Sequence, residues 1–220
     1  MPDISRVTRS HPQARASYDR LSRWYDFIEG GWETGPRRLG LDFLQVKPAE
    51  KMLEIGSGTG SSLLELSDRM DTVGLDLSFR MLQQARSRLE KRGRPRILAQ
   101  GDTLSLPFVS DCFGSAFMAF TLELMDTPEI SIVLGEVRRV LQPGGRLGIV
   151  SLSKLGGMGF MKQLYEWSHA RFPSVVDCRP IYARCSLEEA GFTVVDYKIV
   201  SLTGLGIEVV VGRVDKNSGG

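Results

Sequence analysis

An α/β architecture, with a seven-stranded and mostly parallel sheet closed by an antiparallel C-terminal hairpin, follows from three features of the chain. Strand-like and helix-like segments alternate from residue 51 to about residue 151. The helical stretches open or close on capping and breaking residues. Near the C-terminus, two strand-like runs flank the short link Leu202-Thr203-Gly204-Leu205-Gly206, the pattern of a hairpin.

Taken in order, Lys51 to Ile55 reads as a buried strand, and Ser61 to Met70 as a helix with Leu63, Leu64 and Leu66 apolar. Asp71 to Asp76 is a second strand. Ser78 then caps a helix running to about Arg92, with Met81, Leu82, Ala85 and Leu89 on one face. Arg96 to Gln100 and Phe113 to Phe120 are the third and fourth strands. Pro128 marks a helix start, and Ile130, Val133, Leu134, Val137 and Leu141 form its buried stripe. Pro143-Gly144-Gly145 ends that helix and turns the chain into a fifth strand, Arg146 to Leu152. Such a βαβα rhythm implies a parallel sheet covered by helices on both faces.

Residues 154 to 185 change character, mixing helix and loop with aromatic residues and glycine. Leu187 to Ala190 then ends a helix at Gly191. Thr193 to Val200 and Ile207 to Arg213 are the last two strands. One domain is the simplest division: a body from 49 to 213, a helical extension over 1 to 48, and an insertion over 153 to 185. The polar, glycine-ended tail from 214 to 220 is expected to be disordered.

Composition narrows the function classes. The chain has 220 residues, 42% hydrophobic and 25% charged, as is ordinary for one soluble domain. A net charge of +2 is too close to balance to argue for nucleic acid. The apolar runs are about one strand long, short of the ~20 residues a membrane helix needs. No apolar segment follows the charges of the N-terminus, which predicts no secretory signal and a cytoplasmic location. Arg86, Arg88, Lys91, Arg92, Arg94 and Arg96 form a dense basic run. It is either the solvated end of a helix or a patch for anionic lipid, which allows peripheral membrane contact. Cys112, Cys178 and Cys185 make no C-x-x-C pair, and His11 and His169 are the only histidines, so no metal site is expected.

The chemistry lies at the carboxyl ends of the strands, where an open parallel sheet binds ligands. Residues 52 to 60 join a short apolar strand to a G-x-G-x-G turn at Gly56, Gly58 and Gly60. This spacing differs from the G-x-G-x-x-G of dinucleotide sites. Glycines let a backbone approach a ligand and tolerate positive φ. Glu54 adds a carboxylate that would repel a pyrophosphate but stabilise an ammonium or sulfonium, which points to a cationic nucleoside cofactor. Asp76 closes the second strand, where it can accept ribose hydroxyls. Gly101, Asp102 and Thr103 follow the third strand, and Asp102 can accept from an adenine amine. Thr121 and Glu123 follow the fourth. An Asp ending a strand also commonly serves as a turn or helix cap, so each signal gains its force from the order of the set.

Four stretches carry a family resemblance: Leu53 to Gly60, Val73 to Ser78 with Leu77 and Met81, Gly101 to Phe108, and Glu136 to Gly145. They resemble the class I S-adenosylmethionine-dependent methyltransferases, in the branch holding ubiquinone/menaquinone methyltransferases and bacterial phospholipid N-methyltransferases. The resemblance covers roughly residues 15 to 152 and, loosely, the final hairpin. It implies a Rossmann-like three-layer sandwich and S-adenosyl-L-methionine as cofactor. By motif position it implies cofactor contacts at Gly56, Ser57, Gly58, Asp76 and Asp102. It also implies Glu54 near the methionyl ammonium, Met81 on the adenine and Thr121 at the methionyl end.

Tyr18 and Tyr25 stand on one face of an N-terminal helix, either as packing or as a lid over the cofactor; the resemblance supports the lid. A sulfonium methyl is already activated, so aligning the nucleophile supplies much of the catalysis. If a general base is needed, His169, Tyr165 and Glu123 are the candidates. The apolar stretch from Leu155 to Phe172 either lines a channel for a lipid or quinone or is a core helix. Arg179 to Cys185 lacks the quinone branch's usual proline-bearing pattern, while Gly204 to Val211 looks nearer to the phospholipid branch. The expected activity is therefore methyl transfer to a small-molecule or lipid-like acceptor. A non-catalytic S-adenosylmethionine-binding module is the alternative, and an NAD-dependent oxidoreductase is disfavoured by the glycine spacing.

Overall fold

The computed structural model describes residues 33–66, 71–94, 96–156, 179–202 and 204–215. A seven-stranded sheet forms its centre: β1 (Lys51–Ile55), β2 (Asp71–Asp76), β3 (Ile97–Gln100), β4 (Phe113–Ala119), β5 (Leu141–Leu152), β6 (Phe192–Leu202) and β7 (Leu205–Val214). Their order across the sheet is β3-β2-β1-β4-β5-β7-β6. The first five strands pair in parallel, while β7 runs antiparallel to both β5 and β6. The expected hairpin is thus present, and it makes the sheet mixed. Among the described residues the helices are α1 (Thr34–Leu44), α2 (Ser61–Glu65), α3 (Phe79–Lys91), α4 (Thr127–Val140) and α5 (Ala183–Glu189), with a 3-10 turn at Leu122–Leu124.

Caps set the helix starts as the sequence predicts. Ser78 Oγ accepts from the Met81 N–H at 3.2 Å to open α3. Asp126 and Glu129 form a reciprocal capping box at α4, with Pro128 in its first turn. One boundary differs from expectation. The fifth strand begins at Leu141, not Arg146, because Leu141 already pairs with Phe113 before the register jumps to Ser115–Arg146. Pro143 to Gly145 are therefore a bulge within the edge of the strand, with Gly144 at φ 80°.

The apolar core lies on both faces of the sheet. Leu53, Ile55, Met118, Ile149 and Val210 pack with Val133, Leu134 and Val137 of α4 and Leu187 of α5. Met52, Phe117, Val150 and Val209 pack with Leu44 of α1 and Leu63 of α2. Alternate residues of each strand thus serve opposite layers, as in a three-layer sandwich.

Helix α1 lies against β4, β5 and β7, and Gly40 is what lets it sit close. A Cβ at Gly40 would stand 2.5 Å from Val150 Cγ2 and 3.0 Å from Phe117 Cε2. Gly40→Ala gains about 1 kcal/mol of helix propensity but overpacks a sheet-facing contact, typically at 1–3 kcal/mol. The expected net result is a loss of about 1 kcal/mol or more in urea denaturation; a stabilised variant would show that α1 can lift off the sheet freely.

Three members of the basic run reach back across the chain. Arg88 Nη1 donates to the Thr59 carbonyl and hydroxyl. Arg94 Nη1 donates to the Leu64 carbonyl at 2.8 Å, and Arg96 Nη2 to that of Leu66. The last two supply donors at the C-terminal end of α2, where helix carbonyls lack intrahelical partners. This favours the structural reading of those positions over a lipid patch. No helix among the described residues is long and apolar enough to cross a membrane, and no group of three or more metal-ligating side chains occurs among them.

Candidate active site

The strand order reverses beside β1: the chain moves outward to β2 and β3, then returns to place β4 on the other side. A crevice therefore opens beyond the carboxyl ends of β1 and β4. The glycine turn and the end of β4 meet there. Gly56, Gly58 and Gly60 all have positive φ, at 71°, 51° and 83°. A Cβ at Gly56 would stand 2.4 Å from Thr121 Oγ1, so the two loops could not approach as they do with any side chain there. A Cβ at Gly58 would meet nothing within 4 Å, so this backbone faces open space.

Asp76 ties the turn to the second strand. Its Oδ2 accepts from the Gly58 N–H and its Oδ1 from the Ser78 N–H, both at 2.8 Å. Gly56 N and Ser57 N both donate to the Leu75 carbonyl. The Ser57 hydroxyl is buried and has no hydrogen-bond partner among the described residues. A buried hydroxyl of that kind beside an open glycine backbone suits a polar ligand laid along the turn. A carboxylate offers about four acceptor sites, so Asp76 retains capacity for ribose hydroxyls while holding the loop.

The loop after β3 stands next to Asp76. Gly101 N donates to the Asp76 carbonyl at 3.1 Å. Asp102 Oδ1 accepts from Leu104 N at 2.9 Å, and Thr103 is buried with its hydroxyl 3.6 Å from Met125 Sδ. Leu77 is half-buried, and its carbonyl accepts from Gln100 Nε2. Met81 is buried in the first turn of α3. Glu54 is 3% exposed on β1, on the sheet face that carries Met52. Thr121 follows Phe120, a non-glycine residue at φ 52°. Backbone strain of this kind gathers at functional sites.

Glu123, in the 3-10 turn after β4, is fully buried. Its Oε1 accepts from Leu152 N at the end of β5, at 3.1 Å, while Oε2 has no hydrogen-bond partner among the described residues. Burial pushes its carboxyl up to about 8, with the Glu33 carboxylate adding to the rise; backbone N–H donors and Arg179 oppose it. Glu33 adjoins the start of α1 and is paired with Arg37 at 2.7 Å. Arg179 is 1% exposed and donates to the Met125 carbonyl and, at 3.0 Å, to Thr127 Oγ1. Glu208 of β7 is also fully buried. It accepts from Arg184 N, capping α5, and from Ser153 Oγ. Burial raises its carboxyl as well.

Gly56, Ser57, Gly58, Asp76, Leu77, Met81, Gly101, Asp102, Thr103 and Thr121 are thus gathered at the carboxyl ends of β1 to β4. Tyr18, Tyr25, Tyr165 and His169 lie outside the described residues, as do most of the 153–185 insertion and the last five residues of the tail. Arg179 and Glu208, and the bonds of Glu136 and Arg139 to Leu106 and Phe108, carry structure around the site and escape a sequence reading, since the partners are chiefly backbone groups of distant segments.

Comparison with known proteins agrees with this geometry. The family described as methyltransferase domain matches residues 52–145. A demethylmenaquinone methyltransferase of Thermus thermophilus is 32% identical over 153 residues, 67% of this chain and 67% of its own length. A phosphatidylethanolamine N-methyltransferase of Cereibacter sphaeroides is 34% identical over 133 residues, 59% of this chain and 64% of its own. The crystal structure of the cyclase SpnF superposes with a TM-score of 0.77 at 19% identity, covering 96% of this chain and 99% of that one. The chain belongs to the class I S-adenosylmethionine-dependent methyltransferases. It is an enzyme of that class, and S-adenosylmethionine is its cofactor.

Proposed function

We propose that the protein moves the methyl group of S-adenosylmethionine to a lipid-like acceptor, either a phospholipid amine or a quinone-type ring. The observation that carries the acceptor class is the likeness to two kinds of enzyme, one named for demethylmenaquinone and one for phosphatidylethanolamine. Both act on molecules with long apolar tails. A cytoplasmic protein working at the membrane surface would fit such acceptors without spanning the bilayer.

In this reading Asp76 receives the ribose hydroxyls and Asp102 the adenine amine, with Leu77 and Met81 flanking the base and Gly101 and Thr103 shaping its pocket. Gly56, Ser57, Gly58, Glu54 and Thr121 surround the methionyl end. The sulfonium supplies an activated methyl group. The protein's task is to align the acceptor behind it and exclude water. Either acceptor loses a proton around the transfer, and Glu123, with one oxygen unbonded and a carboxyl raised to about 8, is suited to receive it. Tyr18 and Tyr25 as a lid, and His169 and Tyr165 as alternative bases, rest on the sequence alone.

The test is transfer of isotopically labelled methyl from S-adenosylmethionine to phosphatidylethanolamine vesicles and, separately, to demethylmenaquinone in detergent. Label in one lipid identifies the acceptor. Label in neither, with tight S-adenosylhomocysteine binding intact, would overturn the lipid reading and point to an acceptor of another class.

A further inference from the structure

The loop that carries Asp102 is held by two side chains of α4. Glu136 Oε2 accepts from Leu106 N at 2.8 Å. Arg139 donates to the Leu106 carbonyl at 3.1 Å and to the Phe108 carbonyl at 2.8 Å. The two side chains also bind each other through a fork, Nε to Oε1 and Nη2 to Oε2, both at 2.8 Å. Hydrogen bonds from Arg139 hold the Glu136 carboxyl below the usual carboxylate range, so the pair is charged.

A bare i,i+3 ion pair on a helix surface contributes little. This one differs because the outward-facing groups of both partners are committed to one short stretch of backbone. From Leu106 the connection to the site is direct. Ser105 N donates to the Asp102 carbonyl at 3.2 Å, Leu104 N to the Asp102 side chain, and Asp102 and Ser105 pair as a β-bridge. Gly101, on the other side of Asp102, is fixed to the Asp76 carbonyl. The Asp102 turn is therefore anchored at both ends, by β2 before it and by α4 after it.

We propose that Glu136 and Arg139 are positioning residues for nucleobase recognition: by clamping Leu106 and Phe108 they hold Asp102 where it reads the exocyclic amine of adenine. This rests on the role proposed for Asp102 above, and the experiment separates the two. The readout is the ratio of affinities for S-adenosylhomocysteine and S-inosylhomocysteine, measured by titration calorimetry. Inosine presents a carbonyl where adenine presents its amine, so a carboxylate in place accepts from one and repels the other. The native protein is expected to prefer the adenine ligand by about tenfold or more.

Glu136→Gln and Arg139→Met are each expected to reduce that preference to about threefold or less, with Arg139→Lys retaining more of it than Arg139→Met. Thermal midpoints of the same samples establish that the variants are folded, and Glu136→Gln, nearly isosteric, is the gentler change. A clamp that merely stabilised the domain would weaken both ligands in proportion. An unchanged ratio in Glu136→Gln and Arg139→Met would therefore overturn the inference. Asp102→Asn is the control: a native ratio there would sink the role of Asp102 and the inference with it. A reduced ratio in Asp102→Asn beside native ratios in the clamp variants would sink the clamp alone.

Discussion

Asp76→Ala is expected to weaken S-adenosylhomocysteine binding by roughly a hundredfold, and calorimetric titration would read it directly. Two effects combine. Hydrogen bonds to a charged partner contribute about 1.5–3 kcal/mol each, and the ribose has two hydroxyls to offer. Even discounted for partial exposure, their loss comes to about 3 kcal/mol, or about two decades in affinity. The second effect is loss of preorganisation. Asp76 holds both the Gly58 and Ser78 N–H groups, so its removal frees the glycine turn and the start of α3 together. Asp76→Asn keeps one carbonyl acceptor but presents an amide where the other N–H arrives, so an intermediate loss of about tenfold is expected. Affinity within twofold of the native protein in folded Asp76→Ala would remove Asp76 from the cofactor site.

The glycine turn and the strand-end carboxylate of the candidate site were largely legible in the sequence, for a physical reason. A turn that must pass close to a ligand needs glycine, a strand end facing ribose needs a carboxylate, and both needs act on single residues at short range. Gly56, Gly58 and Asp76 therefore stand out from their neighbours, and the structure bonds Gly58 N to the Asp76 carboxylate and Gly56 N to the Leu75 carbonyl. The strands were legible on similar grounds, since the middles of β1, β2 and β4 are short, largely apolar stretches. The fifth strand was displaced at its start because Pro143-Gly144-Gly145 signals a turn, while its actual role as a bulge depends on pairing with Phe113, far away in sequence.

The polar residues that brace the fold were less legible, because their roles depend on burial and on distant backbone partners. Glu208 lies within the apolar run from Ile207 to Val211, and nothing nearby in sequence announces that it caps α5. Arg179 looks like a surface residue, yet it is buried against Met125 and Thr127. Arg94 and Arg96 read as part of a solvated helix end or a charged patch, yet each reaches a carbonyl at the end of α2. Such long-range, side-chain-to-backbone bonds leave no periodic trace.

Glu123 gives the second large effect, and its sign can be worked out. The folded carboxyl titrates near 8, against an ordinary value of 4.5. The folded state therefore holds its proton more tightly than the unfolded chain does. Its contribution to stability is complete below about pH 4.5 and is lost as pH rises through 8. At 1.36 kcal/mol per unit of pH, the loss is roughly 3 kcal/mol by pH 7. The cause is burial of an oxygen with no hydrogen-bond partner beside the Glu33 carboxylate, with Arg179 and the Leu152 N–H offsetting only part of it. Glu123→Gln removes the titration while keeping an acceptor for Leu152 N. Urea denaturation should find the variant no more stable than the native protein near pH 5 and about 2–3 kcal/mol more stable at pH 8. If Glu123 also receives the acceptor's proton, that same variant loses methyl transfer, while the native enzyme gains activity up to about pH 8. Stability raised and turnover lost in one substitution is the pattern of a carboxyl kept at a strained site for its chemistry. A stability difference that does not change with pH would mean that Glu123 stays ionised in the folded protein, and the base role would lose its physical ground.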